Sequence, residues 1–330
     1  MDEIVRGGGL VHSNLFERII APENLFAAWH IFRRGKTSKQ DVQEFEFNLE
    51  DQVFALHEDL KNGSYQHGTY ESFYVCDPKR RHIHKPPIRD RLLHHAVCRS
   101  IGSLVEKHFI FDSWSCRKGK GTHAAIARFQ SMGWTLSRNN TRPVWVLKLD
   151  IRKFFDSVDQ DRLLHILAGQ IHDCHVIALL TNIVRSFPSG IPLGNLTSQL
   201  FANIYLNELD QFVKHVLRIR CYLRYCDDFV LLHDDRSTLV DALSKIQRFV
   251  FERLGLEIHP RKILLERYSQ GVDFLGFVCF PSHRILRTKT KRRMLQRVND
   301  KNKFSYLGLL HHARTYQLNK IIFEKGLTQK

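Results

Sequence analysis

Three aspartates carry the most pointed chemistry in this chain. Asp227 and Asp228 are adjacent and lie between two apolar runs, residues 219–223 and 229–232. Both runs are rich in β-formers and the gap is short, which predicts a tight β-hairpin with its acids at the turn. Two readings stand for such a pair. An aspartate in a turn caps its own backbone, and paired carboxylates also hold divalent metals. A metal site wants a further acid. Asp150 ends the apolar run 144–149, which puts its carboxylate at the rim of a sheet, where ligand sites often lie. Asp150 and Asp227/Asp228 can face each other if their segments are neighbours in one sheet.

The elements that must position these acids are legible in order. Residues 1–20 carry Gly7-Gly8-Gly9 and read as loose. Helices are expected over 23–34 and 38–62, the second capped by Ser38 and striped by Leu49, Val53, Leu56 and Leu60. Residues 70–75 are strand-like. Lys79, Arg80, Arg81, His82, His84 and Lys85 follow, then Pro86-Pro87, Arg89 and Arg91, which predicts a basic hairpin leading into a helix near residue 90. A run of one-signed charge is either a solvated face or a set of phosphate contacts. Residues 113–123 form a basic, glycine-containing loop that could cradle phosphate, without the residue order of a Walker motif.

After Asp150, either Asp156 or Ser157 can cap a helix beginning near Val158. Residues 189–195 form a Gly/Pro loop opening a long helix that runs to about 216. Gly194 permits close backbone approach to a ligand, and Ser198 and Gln199 sit in the first turns, where polar side chains can meet a nucleotide or template. Beyond the acidic hairpin come an amphipathic helix over 238–254, strand-like segments at 256–258 and 263–265 with Lys262 just before the second, and an aromatic strand over 272–278. From residue 283 the chain turns basic and helical. Nine lysines and arginines between Arg284 and Lys303 face Asp300 alone, which suggests a small domain with a nucleic-acid backbone-binding face. Further helices are expected over 306–312 and 315–324.

Composition narrows the partner. The 330 residues carry a net charge of +16, 43% hydrophobic and 11% aromatic content, which describes a folded protein with a polyanionic partner. No run approaches a membrane span, no basic helix carries a large exposed aromatic face, and the N-terminus lacks a secretory pattern. Nucleic acid is therefore the expected partner, with no membrane. Seven scattered cysteines without a Cys-x-x-Cys argue against a zinc ribbon and for a reducing, cytoplasmic setting.

With these pieces in order, the chain resembles a reverse transcriptase. The Leu147-Lys148-Leu149-Asp150-Ile151-Arg152-Lys153-Phe154-Phe155 block, the Tyr225-Cys226-Asp227-Asp228 hairpin and Phe274-Leu275-Gly276 are similar to that superfamily's motifs A, C and E, across roughly residues 70–280. Within the superfamily, Leu193-Gly194-Asn195-Leu196-Thr197-Ser198-Gln199 resembles the reverse transcriptases of diversity-generating retroelements. Bacterial group II intron enzymes usually have Gln-Gly-x-x-x-Ser-Pro there. The resemblance implies an α+β fold of the right-hand polymerase type: an N-terminal helical extension (1–69), fingers (70–143), a palm with an antiparallel sheet and some finger elements (144–282), and a small helical thumb (283–330). It implies RNA-directed DNA polymerisation with error-prone synthesis at template adenines.

By the same matching, Asp150, Asp227, Asp228 and the Ile151 backbone carbonyl would ligate two Mg²⁺ ions, with Mn²⁺ as a substitute. The basic surroundings are expected to keep the acids ionised. Phe155 would be the steric gate against a ribose 2′-hydroxyl, or simply core beside Phe154. Arg81, supported by Lys79 and Arg91, would contact the triphosphate of the dNTP, with Gln199 also near the nucleotide. Lys262 matches a general acid for pyrophosphate, or is a surface lysine. Phe274, Leu275 and Gly276 would grip the primer. Leu193, Gly194 and Ser198 would lie near the template. Leu193, where an amide could hydrogen-bond, would relax discrimination, or pack under its loop. The implied partners are template RNA, the cDNA or primer strand, dNTPs and a small basic accessory protein. Two other readings remain: a different bacterial reverse transcriptase such as an antiphage-defence enzyme, and a non-catalytic RNA-binding protein of the same fold. Three intact acids weigh against the last.

Overall fold

The computed structural model describes residues 14–76, 79–315, 318 and 321–322. The chain forms two compact units that interleave along the sequence: Met1–Ile110 with Arg152–Asp210 and Phe249–Glu257, and Phe111–Ile151 with Gln211–Arg248 and Ile258–Lys330.

The first unit is mainly helical. Helices Pro22–Phe32, Gln40–Phe47, Leu49–Lys61 and Ile88–Val105 gather around Trp29, whose ring packs on Phe32 and Phe45. The expected helix over 38–62 is two helices, broken at Asn48, which leaves the helical conformation at φ −113° and ψ 32°. Lys39, not Ser38, holds the N-cap position of the first. Residues 15–20 are helical, while the rest of the expected loose N-terminus, residues 1–13, lies outside the described residues. The basic hairpin forms as expected from β1 (Glu71–Val75) and β2 (Arg81–Lys85), paired antiparallel with Glu71 opposite Lys85. Helix Gln160–Gln170 is capped by Asp159, which accepts from the Arg162 amide at 3.0 Å. Asp156 and Ser157 instead belong to the short helix Phe154–Ser157.

The second unit is built on an antiparallel sheet. β3 (Trp145–Asp150), β4 (Cys221–Tyr225), β5 (Asp228–His233) and β6 (Leu264–Arg267) lie in the order β4-β5-β3-β6. β5 is buried from Phe229 to Leu232, which explains its unbroken apolar run. Val146, Leu223 and Val230 join Phe129, Tyr268 and Phe274 in one core. The expected strand over 272–278 is a hairpin. β7 (Val272–Phe274) turns through Leu275 and Gly276, both at positive φ (50° and 91°), into β8 (Phe277–Cys279), and β9 (Arg284–Leu286) completes the sheet. A two-residue turn with two positive φ angles matches the right-handed twist of its strands. Residues 256–258 contribute one isolated bridge, Ile151 to Ile258, not a strand. The basic helix Thr288–Arg297 follows β9, then helix Lys303–His311. Most of the helix expected over 315–324 lies outside the described residues.

Candidate active site

β3 and β5 are direct neighbours in register, and their ends bring Asp150 opposite Asp228. β4 and β5 form a hairpin whose two-residue turn is Cys226-Asp227, with Tyr225 opposite Asp228. The Ile151 amide donates to the Asp227 carbonyl at 3.3 Å, tying the turn to the end of β3. The three carboxylates thus converge at one rim of the sheet. The β-formers on either side fix the strands, and the period-two register fixes which residues meet.

Two lysines engage these acids. Lys262 donates to Asp150 Oδ1 at 2.5 Å. Lys148 lies 3.4 Å from Asp228 Oδ2 and donates at 2.7 Å to the Asp273 backbone carbonyl in β7. Lys148 was not singled out from sequence, yet a signal existed. It interrupts an apolar strand two residues before Asp150, so it shares that residue's face. Asp273 in turn is paired with the Arg287 guanidinium.

The chain's net positive charge favours ionised acids, but the immediate surroundings of Asp227 and Asp228 pull the other way. Burial, then the charge of Asp150, raises the Asp227 carboxyl above the usual range. Burial pushes Asp228 up to about 6, with Asp150 and Asp227 adding to the rise and Lys148 opposing it. Local desolvation and like-charge repulsion outweigh a distant net charge. Asp228 Oδ1 is buried without a hydrogen-bond partner. Hard carboxylate oxygens crowded at a strand rim, one of them unsatisfied, fit a divalent cation such as Mg²⁺.

The turn itself is braced. Cys226 adopts φ 57°, a left-handed conformation unusual for a non-glycine residue. Arg224, 0% exposed, donates to the Cys226 carbonyl and to Ser113 Oγ, each at 3.1 Å. The Tyr225 hydroxyl meets Thr122 Oγ1 at 3.0 Å. In the basic loop after Ser113, two of the cations are engaged within the chain. Arg117 donates to the Ser113 carbonyl, and the Lys120 ammonium lies over the rings of Phe111 and Trp114.

The remaining sequence-derived residues divide between the two units. In the first, Lys79 and Arg81 are exposed on the basic hairpin. Arg91 is half-buried and pairs with Asp41, which also holds Lys85, so Arg91 supports the hairpin through that acid. The Leu193 carbonyl accepts from the His84 amide at 3.0 Å, seating the loop on β2. Gly194 does allow a close approach, but to the hairpin: a Cβ there would lie 2.9 Å from Ile83 Cγ2. Gln199 is exposed, whereas Ser198 is 2% exposed and packs with Tyr70, Ile191 and Phe201. Phe154 is core, and Phe155 is half-buried. The Phe155 carbonyl accepts from Ile191 at 2.8 Å, so Phe155 and the Gly/Pro loop are neighbours. In the second unit, Phe274 is buried against Phe129, and Leu275 and Gly276, both half-buried, form the turn after it. Asp173, Cys174 and His175 also cluster, but the Asp173 carboxylate is engaged by the backbone amides of Phe16, His175 and Val176.

Comparison with known proteins places this geometry. The family model described as reverse transcriptase (RNA-dependent DNA polymerase) matches residues 77–279. Protein YkfC of Escherichia coli K12 is 25% identical, over 72% of this chain and 71% of YkfC. The group II intron-encoded protein LtrA of Lactococcus lactis is 21% identical over 81% of this chain, which spans 56% of LtrA. Apo telomerase from Candida tropicalis superimposes with a TM-score of 0.53 at 14% identity, covering 75% of this chain and 53% of telomerase. At that identity the likeness is one of fold: α+β, of the right-hand polymerase type with an antiparallel sheet.

Proposed function

Because this chain belongs to the reverse transcriptase family, whose activity is RNA-directed DNA polymerisation, we propose that it serves a diversity-generating retroelement, copying a template RNA into error-prone cDNA. The observation that carries the finer reading is the segment Leu193 to Gln199, with leucine where an amide could contact the templating pair and glutamine where intron enzymes usually have proline.

In this reading residues 70–143 act as fingers, 144–282 as palm with finger elements, 283–330 as thumb, and 1–69 as a helical extension. Asp150, Asp227, Asp228 and the Ile151 carbonyl would hold the metal. When bound, the two ions would supply charge stabilisation for attack of a primer 3′-hydroxyl on the α-phosphate of a dNTP. Lys148 turns Asp228 by holding Oδ2, which leaves the buried Oδ1 as the free ligand atom. Lys262, resting on Asp150, would give a proton to the departing pyrophosphate. Lys79 and Arg81 meet the triphosphate, with Arg91 fixing their hairpin through Asp41 and Lys85. Phe155 excludes a 2′-hydroxyl. The Leu275-Gly276 turn carries the primer end. The basic helix Thr288–Arg297 tracks the duplex backbone, and a small basic accessory protein completes the assembly. The setting is the cytoplasm; among the described residues no helix is long and apolar enough to cross a membrane.

The likeness to LtrA favours one other reading, an intron-type bacterial reverse transcriptase of ordinary fidelity. Sequencing cDNA copied from a defined RNA template separates the two. An excess of misincorporation opposite adenine, lowered by Leu193→Gln, is expected. Errors spread evenly over the four template bases, with intact synthesis, would contradict the retroelement reading.

A further inference from the structure

The turn that carries Asp227 is held in a conformation its own residues disfavour. Cys226 sits at φ 57°, where a side chain other than that of glycine, asparagine or aspartate is unusual. A two-residue hairpin turn needs a positive φ at its first position, and sequences usually satisfy this with Gly, Asn or Asp. Here that position is a cysteine. Something outside the turn must therefore hold the peptide in place.

Arg224 is placed to do so. It lies on β4, two residues before Cys226, and is 0% exposed. Burying a guanidinium is costly unless its donors are matched. One amino group donates to the Cys226 carbonyl at 3.1 Å, and the other to Ser113 Oγ at 3.1 Å. Ser113 is itself 0% exposed and fixed beside β4. It forms a parallel bridge with Arg224, whose amide donates to the Asp112 carbonyl and whose carbonyl accepts from the Trp114 amide. The guanidinium thus spans a rigid anchor and the carbonyl of the peptide that leads into Asp227. The following carbonyl, that of Asp227, is held by the Ile151 amide at 3.3 Å. The peptide groups on both sides of Asp227 are therefore fixed, one from β3 and one by Arg224.

We propose that Arg224 is a positioning residue for catalysis: its guanidinium clamps the Cys226 carbonyl, keeps the strained turn in its left-handed form and so aims the Asp227 carboxylate. The proposal rests on the reading of Asp227 as a metal ligand of a polymerase. A residue that merely filled the core would act on stability; a clamp acts on the turn, and its worth depends on the strain at Cys226.

The test is a double-mutant cycle between Arg224 and Cys226. Arg224→Lys keeps the charge but lacks the fork that reaches two partners, while Cys226→Gly lets the turn adopt positive φ without a clamp. Single-nucleotide extension gives kcat and dNTP KM separately, Mn²⁺ binding is followed by electron paramagnetic resonance, and folding by circular dichroism. Arg224→Lys is expected to lower kcat at least tenfold, weaken Mn²⁺ binding several-fold and leave KM within about twofold. In the Cys226→Gly background the same change is expected to lower kcat less than threefold. Equal losses in the two backgrounds, or no loss in either, would overturn the clamp. Should Arg224→Lys not fold, Ser113→Ala takes its place in the cycle, with the same pattern expected on a smaller scale. Asp227→Asn, measured alongside, isolates the underlying reading. Full activity there removes Asp227 from the site, whereas its loss leaves the cycle alone to decide the role of Arg224.

Discussion

Gly190→Ala is a sharp perturbation of the loop on which the fidelity reading depends. Gly190 has φ 68°, and a Cβ built there would lie 2.3 Å from the Phe155 carbonyl oxygen and 2.9 Å from two backbone atoms of Asp156. Those are main-chain atoms of the helix Phe154–Ser157, so no side chain can swing aside to relieve the contact. The left-handed backbone costs alanine about 1 kcal/mol, and the overpacking adds roughly 1–3 kcal/mol. The sum, about 3 kcal/mol, should lower the melting temperature of a unit this size by roughly 6–12 °C. To reach ordinary contact distance, the Phe155 peptide must retreat by about 1 Å, a displacement that can change catalytic rates by on the order of a hundredfold. If Phe155 gates the sugar, the variant should also lose discrimination, with the dNTP-to-rNTP ratio of kcat/KM falling at least tenfold. The assay is single-nucleotide primer extension with each substrate, beside a thermal melt. Wild-type stability together with an unchanged ratio would refute the reasoning about both the loop and the gate.

Two further substitutions probe the charged and buried groups. Lys148→Met removes a side chain that bridges Asp228 and the Asp273 carbonyl. Charge-assisted bonds contribute about 1.5–3 kcal/mol, so kcat should fall on the order of 10- to 100-fold, with partial return in Lys148→Arg; a wild-type kcat would dismiss the positioning role. His94 is 1% exposed, and neither ring nitrogen has a hydrogen-bond partner. Burial pushes it down to about 3, with His67 and His95 adding to the shift. The unfolded chain takes this proton near pH 6.5 and the folded chain only near pH 3, so the stability at stake is fully present above about pH 6.5 and is lost as pH falls through that window. At pH 5 the loss is about 2 kcal/mol. His94→Leu should flatten the decline in melting temperature between pH 7 and 5, and an unaltered decline would show that the acid sensitivity lies elsewhere.

Much of the second unit could be read from sequence because its signals are strong and local. Apolar runs of β-formers ended in Asp150 and began at Asp228, and the register that pairs these residues follows from where the runs stop. The basic hairpin was legible for the same reason. The sequence was weakest where single residues decide. Asn48 breaks what periodicity presents as one helix, and Leu275-Gly276 turns what composition presents as one strand. Ser198 and Gln199 are adjacent and both polar, but the helix turns one inward and the other outward. Arg224 and Lys148 passed unnoticed because a charged residue in an apolar strand shows its purpose only when its partners, Ser113 and Asp273, arrive from far along the chain. The local acidity of Asp227 and Asp228 was likewise hidden, since net charge says nothing about burial.

The most direct test is Mg²⁺-dependent extension of a DNA primer on a defined RNA template by the wild-type chain, Asp150→Asn, Asp227→Asn and Asp228→Asn. Three carboxylates acting as one metal centre predict robust synthesis by the wild type, abolished by chelation, and losses of at least about a thousandfold in each variant with folding intact. Comparable products from the wild type and the Asp227→Asn or Asp228→Asn protein would contradict the assignment of this strand rim as the polymerase centre.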